Sequence, residues 1–119
     1  MRKLTLTLGL LISLQSNASD LREFCDYIEG AIIISSDTEK KYLGKISSSY
    51  DSDSIFNEYG KYGGEYSSNS IWNTYSKYGN EYNSYSPFNE YSLNPPIVIK
   101  NNRVVAKLTV NDSISNALN

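Results

Sequence analysis

The chain has 119 residues, with 11 basic and 13 acidic side chains and no histidine. Without histidine it can form neither a serine–histidine–aspartate triad nor a conventional zinc protease site. It also has no run of basic residues to neutralise phosphates, which argues against a nucleic-acid partner.

The N-terminal residues have the pattern of an export signal. Arg2 and Lys3 form a basic start, an apolar stretch of eleven residues follows, and Ser16-Asn17-Ala18 ends in small residues at a cleavage spacing. Eleven residues are too few to span a bilayer, so no membrane span is expected after signal removal. We predict a signal peptide at 1–18, a single small domain at 19–119, and a periplasmic or secreted location. A buried N-terminal helix is the alternative.

A short helix is predicted from Asp20 to Gly30. Ser19 or Asp20 can cap its start, apolar side chains recur on one face, and Gly30 ends it. Cys25, the only cysteine, lies on this helix, so no intramolecular disulfide can form. We expect Cys25 to be a small buried apolar residue. An intermolecular disulfide in an oxidising compartment is the alternative.

Two β-hairpins are predicted, the first at 31–47 and the second at 97–111. Each contains two short runs of apolar or β-branched residues on either side of a polar turn. Asn101 and Asn102 are expected in the second turn, because asparagine tolerates the positive φ that a tight hairpin requires. One hairpin alone is marginal in water, so we expect both to join a four-stranded antiparallel sheet.

The two hairpins also resemble each other in sequence. Leu43-Gly44-Lys45-Ile46-Ser47 aligns with Val105-Ala106-Lys107-Leu108-Thr109. The same tripeptide follows each hairpin, as Asp53-Ser54-Ile55 and as Asp112-Ser113-Ile114. The pattern predicts an unequal duplication of a hairpin-then-helix unit, with the repeats between the two halves.

Residues 50–92 contain a block of sixteen residues that recurs. Two copies begin at Tyr50 and Tyr66, and a third begins at Tyr82 and breaks off at Asn94-Pro95-Pro96. A short period with few substitutions between the copies indicates a repeat architecture rather than a catalytic signature.

Pro87 sets the expected local structure of the repeats. Proline is favoured at the first helical position, and Ser86 before it is a good N-cap. The repeat register transfers this start to Ser70 and Ser54, so each copy is expected to form a short helix ended by a glycine bend. The predicted fold is α+β, with two β-hairpins forming a small antiparallel sheet and short 16-residue-repeat helices between them. Disorder of the repeats, with self-association, is the alternative.

The repeat segment resembles a group of small uncharacterised bacterial exported proteins. Their pattern reads Y-D-x-x-S-I-x-N-x-Y-G-x-Y-G-S-x-Y-S, repeated between a strand similar to YLGKL and a closing strand after Pro-Pro. Tyr42 to Pro96 carries the likeness, and Val104 to Asn111 extends it. Gly64 and Asn80 stand where the pattern has serine, and Ser76 stands where it has glycine. The group has no assigned activity, so the likeness implies a shared fold and no particular chemistry.

The sequence contains candidates for two kinds of functional site. Paired carboxylates, for example Asp51 with Asp53 and Glu58 with Glu65, could in principle serve glycoside hydrolysis. The spacing of Asp51 and Asp53 also resembles the start of a calcium loop, but the other copies lack this aspartate pair. We therefore expect no catalytic residues, no metal and no cofactor. The remaining candidate is a ligand or partner surface of tyrosines, because tyrosine offers a rigid apolar face with a polar tip. Its predicted members are Tyr59, Tyr62, Tyr66, Tyr75, Tyr78 and Tyr82, with burial of these tyrosines in the core as an equal alternative.

The predicted function is a non-enzymatic exported binding module that presents this tyrosine-rich repeat surface to an envelope glycan or protein. A structural or self-assembling repeat protein of the envelope or a secreted matrix is the alternative, and an enzyme comes third. The sequence leaves the oligomeric state open.

Overall fold

The computed structural model describes residues 18–111. Residues 1–17 of the predicted signal peptide and the tripeptide Asp112-Ser113-Ile114 therefore lie outside the described residues. Within 18–111 the chain forms one helix and four strands, in agreement with the predicted α+β class. The elements are α1 (Ala18–Ile28), β1 (Ile32–Ile34), β2 (Tyr42–Lys45), β3 (Ile97–Lys100) and β4 (Arg103–Lys107).

The four strands form one antiparallel sheet in the order β2-β1-β3-β4. The inner strands β1 and β3 pair with each other, and Ile33 lies opposite Val98. Both side chains are fully buried, which places the apolar core against the centre of the sheet. The prediction that both hairpins join a single four-stranded sheet is confirmed.

The register of the sheet supports the duplication of the hairpins. Gly44 lies opposite Ile33 in the first hairpin, and Ala106 lies opposite Val98 in the second, as the sequence alignment requires. In both hairpins the register shifts after the second residue of the inner strand. Two equivalent backbone hydrogen bonds follow the outer strands, from Ile46 N to Ala31 O at 2.8 Å and from Leu108 N to Pro96 O at 2.9 Å.

The turn of the second hairpin has the predicted conformation. Asn101 and Asn102 have φ values of 55° and 64°. This left-handed backbone at two successive residues matches the twist of an antiparallel pair, and asparagine adopts it more readily than most residues.

The first helix lies close to its predicted position, and its cysteine corrects one expectation. Ile28 is buried and Phe24 packs against the core, and Gly30 follows the helix with a φ of +88°. Cys25 is exposed rather than buried. Phe24 and Ile28 lie four residues apart and face the core, whereas Cys25 is rotated by about 100° from Phe24, towards solvent.

The short repeat helices are not confirmed. Between residues 48 and 92 the chain forms consecutive β-turns, in which the N–H of residue i+3 donates to the carbonyl of residue i. At one place in each complete copy the hydrogen bond spans four residues instead of three, from Gly64 N to Gly60 O and from Asn80 N to Ser76 O. We call this the four-residue step.

The residue that begins each turn explains why a helix does not form. Ser70 Oγ accepts a hydrogen bond from the N–H of Trp72, and Asn73 Oδ1 accepts one from the N–H of Tyr75, both at 3.0 Å. Such side-chain bonds to a nearby backbone N–H compete with helical hydrogen bonding. The serines thus cap a backbone N–H as predicted, but the next polar residue starts a new turn three positions later.

Each sixteen-residue repeat therefore consists of five triplets and one additional glycine. A small polar residue or glycine begins almost every triplet, and every aromatic residue from Tyr50 to Tyr91 occupies the third position. The additional residue is Gly63 in the first copy and Gly79 in the second. A Cβ atom at Gly79 would lie 2.0 Å from the carbonyl oxygen of Asn73, so only glycine fits this position.

The repeat segment is joined to the sheet by hydrogen bonds at the outer edge of β2. Lys45 N donates to Asp53 O at 2.8 Å, and Ile55 N donates to Lys45 O at 3.0 Å. The side chains of Ile55 and Ile71 are fully buried and extend the core from the sheet into the repeats. Within residues 18–111, no helix combines the length and the apolar character needed to cross a membrane.

Candidate ligand-binding surface

Six tyrosines of the repeat segment project into solvent. Their side chains are 81–95% exposed. They occupy two positions of the repeat, the first and the tenth, in all three copies. We call this set the tyrosine ladder: Tyr50, Tyr59, Tyr66, Tyr75, Tyr82 and Tyr91.

The tyrosine ladder contains four of the six predicted surface residues. Tyr62 is half-buried and Tyr78 is only 4% exposed, so these two face the protein interior. The prediction assigned all six to one surface, but the structure places neighbouring triplets on different sides. Tyr50 and Tyr91 were missed, although both hold the same repeat positions as predicted residues, and that register was a sufficient signal.

Tyr78 anchors the second repeat to the turn of the first hairpin. Its hydroxyl donates a hydrogen bond of 2.6 Å to Asp37 Oδ2. Ser35 Oγ donates to Asp37 Oδ1 at 2.6 Å, and Lys77 Nζ lies 2.8 Å from Asp37 Oδ2. The carboxylate is 5% exposed, and these three donors compensate for its removal from water.

The surroundings of Asp37 decide its protonation. Burial alone would raise the pKa of this carboxyl group, but hydrogen bonds from Lys77, Ser35 and Tyr78 lower it, and together they hold the pKa well below its ordinary value. Asp37 is therefore ionised at neutral pH. Buried and fully hydrogen-bonded, the group has the character of a structural anchor rather than of a reactive acid.

Tyr62 anchors the first repeat in a different way. Its ring meets the ring of Tyr42 edge-on, with centroids 5.0 Å apart. The Tyr42 hydroxyl donates to Asp53 Oδ2 at 3.1 Å. Burial and this hydrogen bond raise the pKa of Tyr42 to about 12, so its hydroxyl remains a donor at physiological pH.

The carboxylates of Asp51 and Asp53 serve the fold. Asp51 Oδ2 pairs with Lys45 Nζ at 2.8 Å, and Asp51 Oδ1 accepts a hydrogen bond from the N–H of Asp53. The hydrogen bond from Lys45 lowers the pKa of Asp51. Among the described residues, no group of three or more acidic or cysteine side chains is arranged to hold a metal ion.

Four surface clefts lie between neighbouring members of the tyrosine ladder, with volumes of about 290–440 Å³. Each cleft is flanked by two ladder tyrosines and contains at least one acidic side chain. The flanking pairs are Tyr50 with Tyr59, Tyr59 with Tyr66, Tyr75 with Tyr82, and Tyr82 with Tyr91.

The clefts combine flat aromatic faces with carboxylates and lack a reactive constellation. They can hold a ligand by stacking and by accepting hydrogen bonds. No protein-family model, curated protein or solved structure matches this chain. The function is therefore inferred from the geometry of the tyrosine ladder.

Proposed function

We propose that this protein is a non-enzymatic exported binding module that presents the tyrosine ladder to an envelope glycan or protein. The observation that carries the proposal is the exposure of all six ladder tyrosines at equivalent positions of three repeat copies. Large exposed aromatic surfaces on a soluble protein are typical of binding sites. Export is inferred from the sequence of residues 1–18.

The backbone beneath the tyrosine ladder is held in place before any ligand arrives. In five of the six ladder triplets the side chain of the first residue accepts a hydrogen bond from the tyrosine N–H, as Asn57 does for Tyr59 at 3.0 Å and Asn89 does for Tyr91 at 2.9 Å. A preorganised surface loses little conformational entropy on binding. Tyrosine adds to this advantage, because it has only two side-chain torsions for a large contact area.

Comparative capture from envelope extract tests the proposal. The bait proteins are the wild type, the double variant Tyr75→Ala/Tyr82→Ala, and the control Tyr27→Ala, which removes a part-exposed tyrosine of α1. We expect a glycan or protein that the wild type and the control retain and that the double variant loses, with all three proteins equally stable. Identical captured sets for all three would contradict a binding role for the tyrosine ladder.

The alternative is a self-assembling structural protein, and the edge of the sheet favours it. Within residues 18–111, β4 pairs with β3 alone, and Val104 on this strand is 57% exposed. An open edge strand can pair with another chain. In analytical ultracentrifugation, a mass that rises with protein concentration would support assembly over ligand binding. The variant Val104→Lys should abolish this rise.

A further inference from the structure

The tyrosine ladder carries negative charge along its length. In four of its six triplets a glutamate directly precedes the ladder tyrosine. All four carboxylates line clefts of the ladder, and none of them forms an ion pair within residues 18–111. These glutamates are Glu58, Glu65, Glu81 and Glu90.

The lysines of the repeats are next to inward tyrosines and not next to the tyrosine ladder. Lysine, not glutamate, precedes two of the three inward tyrosines, as Lys61 before Tyr62 and Lys77 before Tyr78, and Ser84 precedes the third, Tyr85. Lys77 pairs with the buried Asp37, and Lys61 Nζ lies 5.6 Å from the centroid of the Tyr62 ring. No basic side chain of residues 18–111 lines any of the four clefts.

Two of the three amide side chains beside the clefts are already used at both ends by the fold. Asn57 Oδ1 accepts from Tyr59 N, and Asn57 Nδ2 donates to Asp51 O at 3.2 Å. Asn89 bonds in the same way at both ends of its amide. The side-chain groups that all four clefts offer to a ligand are tyrosine rings, tyrosine hydroxyls and carboxylates, and single clefts add Ser49, Thr74 or Asn80. Carboxylates only accept hydrogen bonds, so this set matches a cationic donor better than a neutral sugar.

We propose that the clefts of the tyrosine ladder bind lysine or arginine side chains, and that the partner is a protein with an exposed basic segment. This inference rests on the proposed binding function and names its ligand class. An ammonium or guanidinium group can lie against a tyrosine face while a neighbouring carboxylate accepts its hydrogen bonds. Because the tyrosine ladder has several such clefts, it favours a segment with several cationic side chains. Each bound side chain raises the effective concentration of the next side chain at its own cleft.

Titration calorimetry with hexalysine and with its fully Nε-acetylated form tests the assignment. We expect hexalysine to bind at least about tenfold more tightly than the acetylated peptide. Its affinity should also fall as salt is added. The variant Glu58→Gln/Glu81→Gln should weaken hexalysine binding about tenfold. The control Glu23→Gln/Glu29→Gln makes the same change in net charge away from the clefts, so it should change binding less than about twofold.

Several results would overturn the cationic assignment. These are equal binding of both peptides, no binding of hexalysine, and an equal loss in the two glutamine pairs. A chito-oligosaccharide that binds the wild type and Glu58→Gln/Glu81→Gln equally, but not Tyr75→Ala/Tyr82→Ala, would also overturn it while leaving the proposed function in place. If Tyr75→Ala/Tyr82→Ala bound every probe as tightly as the wild type, both proposals would fail.

Discussion

The hydroxyl of Tyr78 donates a 2.6 Å hydrogen bond to the buried carboxylate of Asp37, a residue 41 positions earlier in the chain. This bond joins the second repeat to the turn of the first hairpin. It also separates Tyr78 from the tyrosine ladder, although both belong to the same repeated pattern. The inward tyrosines hold the repeats on the scaffold, and the outward tyrosines remain available to a ligand.

Tyr78→Phe should destabilise the protein by about 1–3 kcal/mol, because the Asp37 carboxylate would lose one of its three side-chain donors in a buried position. Urea unfolding measures the loss. Tyr75→Phe is the matched control, since the Tyr75 side chain is 88% exposed, and it should leave the unfolding midpoint unchanged. Equal effects of the two substitutions would contradict the anchoring role.

Stability should fall in acid, and Asp37 should account for part of the fall. Its pKa in the folded protein lies below its value in the unfolded chain, because the donated hydrogen bonds outweigh burial. The ionised carboxylate therefore contributes stability that is fully present above its ordinary pKa. This contribution is lost progressively as the pH falls below about 5.

Asp37→Asn provides the test of this pH dependence. The variant should be less stable at neutral pH, and its stability should decline less steeply in acid when unfolding is followed from pH 7 downwards. Some decline should remain, because the hydrogen bond from Lys45 also lowers the pKa of Asp51. Parallel stability curves for the wild type and Asp37→Asn would exclude Asp37 as a source of acid sensitivity.

Gly79→Ala should destabilise the protein by about 2–4 kcal/mol, since the new Cβ would lie 2.0 Å from Asn73 O and 2.8 Å from Ile71 O. Thermal unfolding with a matched glycine substitution checks this. Gly60→Ser is the control, because Ser76 occupies the same position in the next copy. The control should lose less than about 1 kcal/mol. A tolerated Gly79→Ala would disprove the close approach that the four-residue step requires.

Asn73→Asp should lose about 2–3 kcal/mol of stability. The side chain of Asn73 donates from Nδ2 to Ser67 O and accepts at Oδ1 from Tyr75 N, both at 3.0 Å. Aspartate keeps the acceptor but replaces the donor with an oxygen that faces the carbonyl. The control is Asn80→Asp, because Asn80 Oδ1 accepts from Tyr82 N and aspartate preserves that bond. A similar loss at both positions would argue against the role of the Asn73 donor.

The sequence predicted the sheet well, because its signals are local. Alternating apolar residues define the strands, and Asn101 and Asn102 define a turn that depends on their own backbone preference. The end of α1 followed from Gly30 in the same way, but Ser19 and Asp20, the predicted caps, lie inside the helix. Cys25 was placed wrongly because its burial depends on which side of the helix packs against the core.

The repeat helices were predicted because the tyrosines of successive turns are three and four residues apart, which is also the spacing of residues on one face of a helix. Tyr59, Tyr62 and Tyr66 lie three and four residues apart, as on a helical face, but they are the third residues of successive turns. The distinguishing signal was the small polar residue or glycine at nearly every third position. A helix does not require such a residue, whereas in most of the turns the side chain of this residue accepts a hydrogen bond from a following backbone N–H.

The division of the tyrosines into two sets could not be predicted from spacing alone. Tyr75 and Tyr78 both occupy the third position of a triplet, and only the placement of the repeats on the sheet turns one outward and the other inward. The repeat register did identify equivalent residues correctly. It could not identify which of these sets of equivalent tyrosines would contain the residue that bonds to Asp37.

Nitration of the native protein, with mass spectrometry of each tyrosine-containing peptide, tests the division between the tyrosine ladder and the inward anchors most directly. We expect Tyr75 and the other ladder members to react readily, and Tyr78 to react at least about tenfold more slowly until the protein is unfolded, because an opening reaction must expose it first. Equal reaction rates for Tyr75 and Tyr78 in the native protein would contradict the account.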